Sequence, residues 1–305
     1  MLIENLAAGA GLKSDFVRSF ARGASHAYKT YPITKRDGGE REINHPSKEL
    51  KFLQRWLLLY VLPDFPVHPA ATAYQKGTSI YKNAAVHASS KYLLRMDFTK
   101  FFPSIKADDM RAYKASRPTL FNGWTHDDFN TFCLIVFRNS ELTIGAPTSP
   151  AISNALCFDM DAAIEDLCAK SGVKYTRYAD DLFFSTIEPN VLQPLQTDIE
   201  HLVAGLKVPA HLTLNAAKTR HSSRKGARRV TGIIIGSDRK PHIGRSLKRE
   251  IRGMIHRVDS LDDEGRSRLS GLLGYAVGFD RKFKNDLIIK YGNERMDKAR
   301  HPGLK

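Results

Sequence analysis

The chain has 305 residues, 42% hydrophobic and 26% charged, which is the composition of a globular protein with enough residues for a large core. Forty-seven Lys and Arg against 32 Asp and Glu give a formal charge of +15, which indicates a polyanionic partner. No apolar run approaches the ~20 residues of a membrane-spanning helix, and no secretory signal is evident. The three cysteines fit neither a disulfide framework nor a metal motif. We therefore predict a cytoplasmic protein without a membrane partner.

The first hundred residues predict helices, a hairpin and a strand. In "YPITKRDGGEREINHPS", two strand-like runs flank a turn at residues 37–39. The following "KELKFLQRWLLLYVL" is typical of an amphipathic helix, which should stop at Pro63. "KYLLRMDF" (Lys91–Phe98) then predicts a strand that ends on Asp97.

The rest of the chain predicts a long helix, a second hairpin and a helical end. In "SPAISNALCFDMDAAIEDLCAKSG", Ser149 is the expected N-cap and Gly172 the C-terminal stop. "KYTRYADDLFFST" predicts two strands joined at its paired Asp residues, and "RRVTGIIIG" predicts one further strand. From about Ser246 the chain is mostly helical and basic. We expect an α+β fold in which strands from distant parts of the chain meet in one antiparallel sheet.

Two adjacent carboxylates, Asp180 and Asp181, lie at the tip of the second hairpin. Asp is common in turns because it hydrogen-bonds locally, so the pair alone fits an exposed turn as well as a cation site. Asp97 also ends an apolar strand, and twist at a tight turn lets neighbouring carboxylates converge. Three carboxylates at adjacent strand ends would suit Mg²⁺, and two such ions can assist an in-line phosphoryl displacement.

The positive charge is concentrated in one segment. From Lys218 to Arg252 there are twelve Lys and Arg against two acidic residues. A solvated basic face kept for solubility is the simpler explanation. Clustering along one segment nevertheless favours contacts with phosphates.

Several segments, in this order, carry a family resemblance. "RMDFTKFFPSI", "GAPTSPAISN" and "RYADDLFFS" resemble motifs A, B and C of reverse transcriptases, and "LNAAKTR" and "RRVTGIIIG" resemble motifs D and E. "NAAVH" (Asn83–His87) and "VTG" (Val230–Gly232) resemble the NAxxH and VTG elements of the retron reverse transcriptases of bacteria. The resemblance runs from about Lys35 to Gly236 and indicates a retron-type, RNA-directed DNA polymerase.

This resemblance implies a right-hand polymerase architecture. Residues 1–90 would form N-terminal helices and fingers. Residues 91–236 would form the palm, with its antiparallel sheet, the catalytic motifs and interleaved fingers elements. Residues 237–305 would form a helical, basic thumb that binds RNA.

The resemblance also implies the catalytic residues. Asp97, Asp180 and Asp181 would bind two Mg²⁺ ions, which Mn²⁺ can replace, with the Phe98 carbonyl oxygen as a further ligand. Lys218 would protonate the departing pyrophosphate.

A second implied group would bind the incoming nucleotide. Phe102 matches the bulky steric gate that crowds a ribose 2′-OH, although plain core packing is the alternative for such an aromatic residue. Ile144 stands where many relatives have Gln, so a Gln-mediated contact is absent or replaced. The predicted nucleotide-binding residues are Lys35, Arg41, Phe102, Gly145 and Ala146.

A third implied group would contact nucleic acid. Asn83 and His87 are four residues apart and share one helix face, which by spacing alone could also be an ordinary polar surface. The full set with this predicted role is Asn83, His87, Arg228, Arg229, Val230, Thr231, Gly232, Lys248, Arg249 and Arg252.

The implied activity is reverse transcription of a cognate structured noncoding RNA. The enzyme would take an RNA 2′-OH as primer, polymerise dNTPs, and keep the branched RNA–DNA product (msDNA) bound. A separately encoded effector protein would act with it in antiphage defence.

Other functions fit the sequence less well. An intron maturase would need further domains, a diversity-generating enzyme would show Ser-Gln in place of Ser149-Pro150, and an RNA-dependent RNA polymerase would usually carry a polar residue at Phe102. A metal-dependent nuclease commonly uses a water-activating base, which is not evident near the motifs. A catalytically silent RNA-binding protein would not need three Asp residues.

Overall fold

The computed structural model describes residues 1–34, 38–278 and 280–300. Helices and strands are mixed along these ranges, which confirms the α+β class. The helices are α1 (Leu2–Ala10), α2 (Ser14–Arg22), α3 (Lys48–Tyr60), α4 (Ile80–Val86), α5 (Phe101–Ser104), α6 (Ala107–Ser116), α7 (His126–Val136), α8 (Ser149–Leu156), α9 (Phe158–Lys170), α10 (Leu192–Ala204), α11 (Arg245–His256), α12 (Asp263–Val277) and α13 (Arg281–Arg300). The strands are β1 (Tyr28–Thr34), β2 (Glu40–Pro46), β3 (Tyr92–Asp97), β4 (Lys174–Tyr178), β5 (Asp181–Thr186), β6 (Arg220–Ser223), β7 (Arg228–Val230), β8 (Ile233–Ile235) and β9 (Pro241–His242).

The chain divides into two compact units. Unit 1 comprises Met1–Thr78 and Tyr92–His221, and unit 2 comprises Ser79–Lys91 and Ser222–Lys305. Unit 2 therefore combines the short helix α4 with the strands β7–β9 and the C-terminal helices. The division into fingers, palm and thumb at residues 90 and 236 stays a prediction.

The first hairpin and the helix after it form as the sequence predicts. β1 and β2 pair in antiparallel register from Tyr28–Pro46 to Thr34–Glu40. Of the turn predicted at residues 37–39, residue 37 lies outside the described residues. α3 is capped by Ser47, whose side chain accepts a hydrogen bond from the Leu50 amide, and it ends before Pro63.

The central sheet of unit 1 has the strand order β4-β5-β3-β6. β3 and β5 pair antiparallel from Tyr92–Thr186 to Asp97–Asp181, so strands from distant parts of the chain do meet. The expectation of one sheet is nevertheless wrong, because β1-β2 and β7-β8-β9 form two separate sheets. β1 is exposed along nearly its whole length, so it lacks an apolar face that would join it to the core.

The predicted long helix is divided in two. α8 ends at Leu156 and α9 begins at Phe158, with Cys157 (φ −84°, ψ 3°) between them, and both helices bury their apolar faces in the same core. The N-cap is Thr148 rather than Ser149, which is the first helical residue. Gly172 (φ 60°) follows the helix as predicted, because its left-handed backbone favours glycine.

The segment "RRVTGIIIG" is a hairpin rather than the predicted single strand. β7 and β8 pair antiparallel, with Val230 opposite Ile233. Thr231 and Gly232 between them have φ values of 46° and 83°. Positive φ at both central residues defines a type I′ turn, whose twist matches that of the strands. An apolar run does not by itself distinguish one strand from a tight hairpin.

Each unit has its own apolar core. The unit 1 core includes the buried face of β3, α8, α9 and β5. In unit 2, α11, α12 and α13 pack together, and α13 is interrupted at Gly292 (φ 76°). None of the helices within the described ranges combines the length and apolar character that a membrane crossing requires.

A buried ion pair links α9 to β4. The Arg177 guanidinium donates to both carboxylate oxygens of Asp161, from Nε at 2.8 Å and from Nη2 at 2.6 Å, and both side chains are wholly buried. Tyr175 also donates to Asp161, at 2.8 Å. Burial alone would lower the pKa of Arg177, but the charge of Asp161 outweighs it and the net effect raises this pKa. The Arg177 guanidinium therefore stays charged although it is wholly buried.

Replacing Arg177 with Ala is expected to lower the free energy of unfolding by about 3–5 kcal/mol, because the Asp161 carboxylate is left buried without its partner. Urea denaturation followed by circular dichroism measures the loss.

The matched control is Arg111→Ala, which removes one member of an exposed ion pair with Asp108. Its stability should stay within about 1 kcal/mol of the wild type. Equal losses in the two variants would contradict the special role of the buried pair.

Candidate active site

The central sheet brings the three predicted carboxylates to one end of neighbouring strands. Asp97 is the last residue of β3 and lies directly opposite Asp181, the first residue of β5. Asp180 precedes Asp181, and its carbonyl oxygen accepts a hydrogen bond from the Phe98 amide at 3.0 Å. The strand register places the three residues at neighbouring strand ends, and their convergence on an ion stays a prediction.

The turn that presents the carboxylates has a strained backbone. Ala179 is buried and has a φ of 57°, which is uncommon for a residue with a side chain. Its carbonyl oxygen accepts a hydrogen bond from Nη1 of Arg177 at 3.2 Å. The buried ion pair thus reaches the residue immediately before Asp180, and it helps to hold the turn in this conformation.

The carboxylates are electrostatically unusual. Burial raises the pKa of Asp180, and the nearby charge of Asp97 raises it further, against the opposing charges of Lys218 and Arg41. Burial raises the pKa of Asp181 to about 6, although Arg95 opposes the shift. Burial thus disfavours the charged form of both carboxylates, and a bound cation would stabilise that form.

Two basic side chains contact these carboxylates directly. Lys218 Nζ lies 3.0 and 3.2 Å from the two oxygens of Asp97. It is brought there by the segment before it, because Asn215 donates its amide to the Asp97 carbonyl at 2.7 Å. Arg95 donates from Nε and Nη2 to Asp181 Oδ1, at 3.0 and 2.7 Å.

The donor set suits a hard divalent cation, although the side chains do not form a cage in this structure. Within the described ranges, no three His, Cys, Asp or Glu side chains are arranged so that they could hold a metal ion. The chemistry nevertheless fits Mg²⁺, because three carboxylates with raised pKa values or direct cationic partners meet at one sheet end. Arg95 and Lys218 instead bond to two of the three carboxylates.

Three phenylalanines follow the first carboxylate and differ in burial. Phe98 and Phe101 are buried and their rings stack with centroids 5.7 Å apart. Phe102 is only partly buried and packs edge-on against Phe101, with centroids 5.4 Å apart. Core packing therefore accounts for Phe98 and Phe101, whereas Phe102 keeps an exposed part of its ring.

Gly145 makes a close approach that requires glycine. The Asn44 amide of β2 donates to the Ile144 carbonyl at 2.8 Å. Gly145 has a φ of +116°, and a Cβ added there would lie 2.6 Å from the Asn44 carbonyl oxygen. Arg41, on the same strand, is close enough to lower the pKa of Asp180. The first hairpin is thereby attached near the carboxylates, and Ala146 beside the contact is buried.

Unit 2 gives several predicted nucleic-acid contacts a structural role instead. Asn83 of α4 and His87, which directly follows α4, are fully buried, and so is the Val230 side chain. Arg228 is 1% exposed and donates to the carbonyl oxygens of Ser90, Ala88 and Gly236. Buried side chains do not present their polar atoms to a nucleic acid, so direct contact by these four is not supported. Packing of α4 against the β7–β9 sheet explains their burial.

The remaining residues of the predicted nucleic-acid set divide between interior and surface. Lys248 bonds to Asp280 at 2.7 Å, and both Lys248 and Arg252 lie over the Phe283 ring. Thr231 donates weakly to the Ile80 carbonyl oxygen at 3.4 Å. The exposed members are Arg229, Gly232 and Arg249.

The sequence reasoning missed four residues around the site. Arg95 has no motif of its own, and Arg177 looks like an ordinary strand residue. Asn154 lies inside the B motif and donates to the Ala73 carbonyl at 2.9 Å. Next to Ala73, Tyr74 has a φ of 62°, and its pKa is raised by burial and then by the charge of Asp180. The Gly-containing loop "ATAYQKG", in which Tyr74 lies, was the one sequence feature that could have drawn attention to this residue.

Comparisons with known proteins agree with this fold and site. The family model described as reverse transcriptase (RNA-dependent DNA polymerase) matches residues 33–235. The Retron Ec83 reverse transcriptase of Escherichia coli is 32% identical over 283 residues, 89% of each chain. The Retron Ec73 reverse transcriptase of the same species is 34% identical over 281 residues, 87% of each chain.

A solved structure supports the fold alone. The apo telomerase from Candida tropicalis is 10% identical, with a TM-score of 0.53 over 89% of this chain. Our chain spans 57% of that telomerase chain. The shared architecture is consistent with the right-hand polymerase fold expected from the sequence.

The chain belongs to the reverse transcriptase family, the RNA-dependent DNA polymerases. Within that family it is a retron-type reverse transcriptase, because its similarity to curated retron enzymes exceeds 30% identity over most of both chains.

The Gly145→Ala variant should loosen the attachment of the first hairpin. The positive φ alone would cost about 1–3 kcal/mol, and the added Cβ would push against the Asn44 carbonyl. Hydrogen exchange at the Asn44 amide should become faster, and the free energy of unfolding should fall.

Gly271→Ala is the matched control, because Gly271 lies in α12 and an added Cβ there meets no atom within 4 Å. Alanine is favoured over glycine in a helix by roughly 0.5–1 kcal/mol, so this variant should not lose stability. Unchanged Asn44 exchange in Gly145→Ala would show that the close approach is not required.

Proposed function

We propose that this enzyme copies part of a cognate structured noncoding RNA into DNA, starting from a 2′-OH of that RNA. The product would be a branched RNA–DNA molecule that stays bound to the protein. Membership of the retron-type family supports the substrate class. The observation that carries the catalytic part is the register of the central sheet, which places Asp97 opposite Asp181 with Asp180 beside them.

Asp97, Asp180 and Asp181 are the residues that would hold two Mg²⁺ ions, or Mn²⁺ in their place, and the Phe98 carbonyl oxygen would add a ligand. When bound, such ions activate an attacking hydroxyl and neutralise charge on the leaving group. The carboxylates are held for this task by the sheet register and by the Ala179 turn.

Lys218 is the proposed proton donor to the departing pyrophosphate. Its ammonium group lies beside Asp97 at the open end of the sheet, and its side chain is 54% exposed. An exposed lysine on a short turn can follow a leaving group, and the positive charge also favours binding of a triphosphate. Arg41 is the second cation proposed to contact the nucleotide; Lys35, also in this proposed set, lies outside the described residues.

Nucleic acid would be bound through exposed basic residues of unit 2. Arg229 on β7 and Arg249 on α11 are exposed, as phosphate contacts require. Gly232 at the exposed hairpin tip would allow close approach of a backbone. We further propose a separately encoded effector protein and a role in antiphage defence, which rest on the retron-type family alone.

Asp180→Asn should abolish DNA synthesis and leave RNA binding in place, because the change removes one negative charge without changing the side chain's size. Both proteins are expressed with the native flanking DNA, purified, and their bound nucleic acid is treated with RNase or DNase. The wild type should carry a discrete species sensitive to both enzymes, which RNase shortens to a defined DNA band. Asp180→Asn should carry RNA only.

Asp166→Asn is the matched control, since Asp166 is an exposed residue of α9, and its product should equal that of the wild type. DNA in the Asp180→Asn sample would contradict the catalytic assignment. RNA alone in the wild-type sample would favour an RNA-binding protein, and degraded RNA a metal-dependent nuclease.

Phe102→Ala should raise the incorporation of ribonucleotides relative to deoxynucleotides. The exposed part of the Phe102 ring would crowd a 2′-OH, and alanine removes that bulk. The measurement is kcat/KM for matched ribo- and deoxyribonucleotides on a fixed template and primer. Phe102→Tyr keeps the ring and should keep the discrimination. Unchanged sugar selectivity in Phe102→Ala would leave Phe102 with a packing role only.

A further inference from the structure

Arg95 has a position that the catalytic scheme does not use. It lies two residues before Asp97 on β3, so the two side chains emerge on the same face of the strand. Its guanidinium donates two hydrogen bonds to one oxygen of Asp181 on the neighbouring strand, at 3.0 and 2.7 Å. A side chain this close to a catalytic carboxylate affects whatever that carboxylate binds.

Each of the two cations at the site contacts a different carboxylate. Lys218 covers both oxygens of Asp97, and Arg95 covers one oxygen of Asp181. Asp97 and Asp181 are paired in register, so without these cations two partly buried like charges would face each other. Burial strengthens such repulsion, which must be relieved by a cation or by a proton.

Both cations are more accessible than the arginine of the structural pair. The Arg95 side chain is 38% exposed and that of Lys218 is 54% exposed, whereas Arg177 in the structural pair is wholly buried. A partly exposed guanidinium exchanges a carboxylate for water at a smaller cost than a wholly buried one. The contact with Asp181 is therefore easier to break than the contact between Arg177 and Asp161.

We propose that Arg95 is the counter-ion that positions Asp181 while the carboxylates hold no divalent cation, and that Arg95 leaves Asp181 when they take one up. Arg95 is a positioning residue in this scheme and takes no part in the chemistry. Its charge substitutes for part of the charge of the cation, so it competes with binding and sets the affinity of the site. The inference rests on the metal-binding role proposed above for Asp97, Asp180 and Asp181.

The test compares the full-length protein with Arg95→Gln, using Mn²⁺ alone as the probe. Thermal unfolding is recorded in EDTA and in Mn²⁺, and the Kd for Mn²⁺ is measured by electron paramagnetic resonance. Arg95→Gln should unfold at a lower temperature in EDTA, because Asp181 loses its counter-ion. It should bind Mn²⁺ about fivefold more tightly, the ratio that corresponds to about 1 kcal/mol for this partly exposed pair.

Two further variants separate competition from a simple loss of stability. Arg95→Lys keeps the charge without the two-bonded fork and should give an intermediate Kd. Arg111→Gln disrupts an exposed pair on α6 and should change neither Kd nor the gain in unfolding temperature with Mn²⁺. A lower unfolding temperature in Arg95→Gln with an unchanged Kd would overturn the proposal and leave Arg95 a structural role.

Mn²⁺ binding by Asp181→Asn distinguishes a failure of the proposed metal site from a failure of the counter-ion proposal. If the wild type and Asp181→Asn bind Mn²⁺ equally or not at all, the carboxylates are not the metal ligands, and both proposals fall. If the wild type binds Mn²⁺, Asp181→Asn binds it weakly and Arg95→Gln binds it like the wild type, only the counter-ion proposal falls.

Discussion

The buried pair between Arg177 and Asp161 is the interaction on which the site depends. Two charges without access to water are stable only when their geometry satisfies nearly every donor and acceptor. Arg177 meets this condition through Asp161, the Asn154 side-chain oxygen and the Ala179 carbonyl. Its backbone also bonds to the loop before α4, where Ala70 accepts from the Arg177 amide at 2.7 Å. One side chain thus connects a helix, a strand, a loop and the strained turn that carries the carboxylates.

That anchoring allows negative charge to be concentrated where the sheet ends. Burial raises the pKa values of Asp180 and Asp181, and the neighbouring carboxylates add to both shifts, so without support these like charges would separate or take up protons. The sheet resists separation because Asp97 and Asp181 belong to paired strands with buried apolar neighbours. The remaining electrostatic cost is offset by Lys218 and Arg95, whose side chains are partly exposed. The buried Arg177–Asp161 pair and the sheet hold the carboxylates in place, and the partly exposed Lys218 and Arg95 balance their charge. This combination suits a site that binds charged ligands.

Unit 2 shows that the residues of a family-specific motif can serve packing. The "VTG" element forms a type I′ turn, in which Thr231 and Gly232 supply the two positive φ values. The "NAAVH" element places Asn83 and His87 inside the unit rather than on its surface. Arg228 donates to the carbonyl oxygens of Ala88 and Ser90, which follow the first element, and of Gly236, which follows the second. These residues shape a surface whose exposed basic neighbours remain available to a polyanion.

The sequence by itself determined the family, the α+β class, the second hairpin and the three carboxylates, because ordered motifs and strand periodicity are local properties of the chain. It also predicted Lys218 beside the site through motif resemblance. Tertiary structure decided which polar residues are buried, since Asn83 and Arg228 look like surface residues until β7–β9 pack on α4. It also decided the partners of Arg177 and Arg95. Such pairings join residues far apart in sequence, and no local pattern specifies which carboxylate a given arginine will meet.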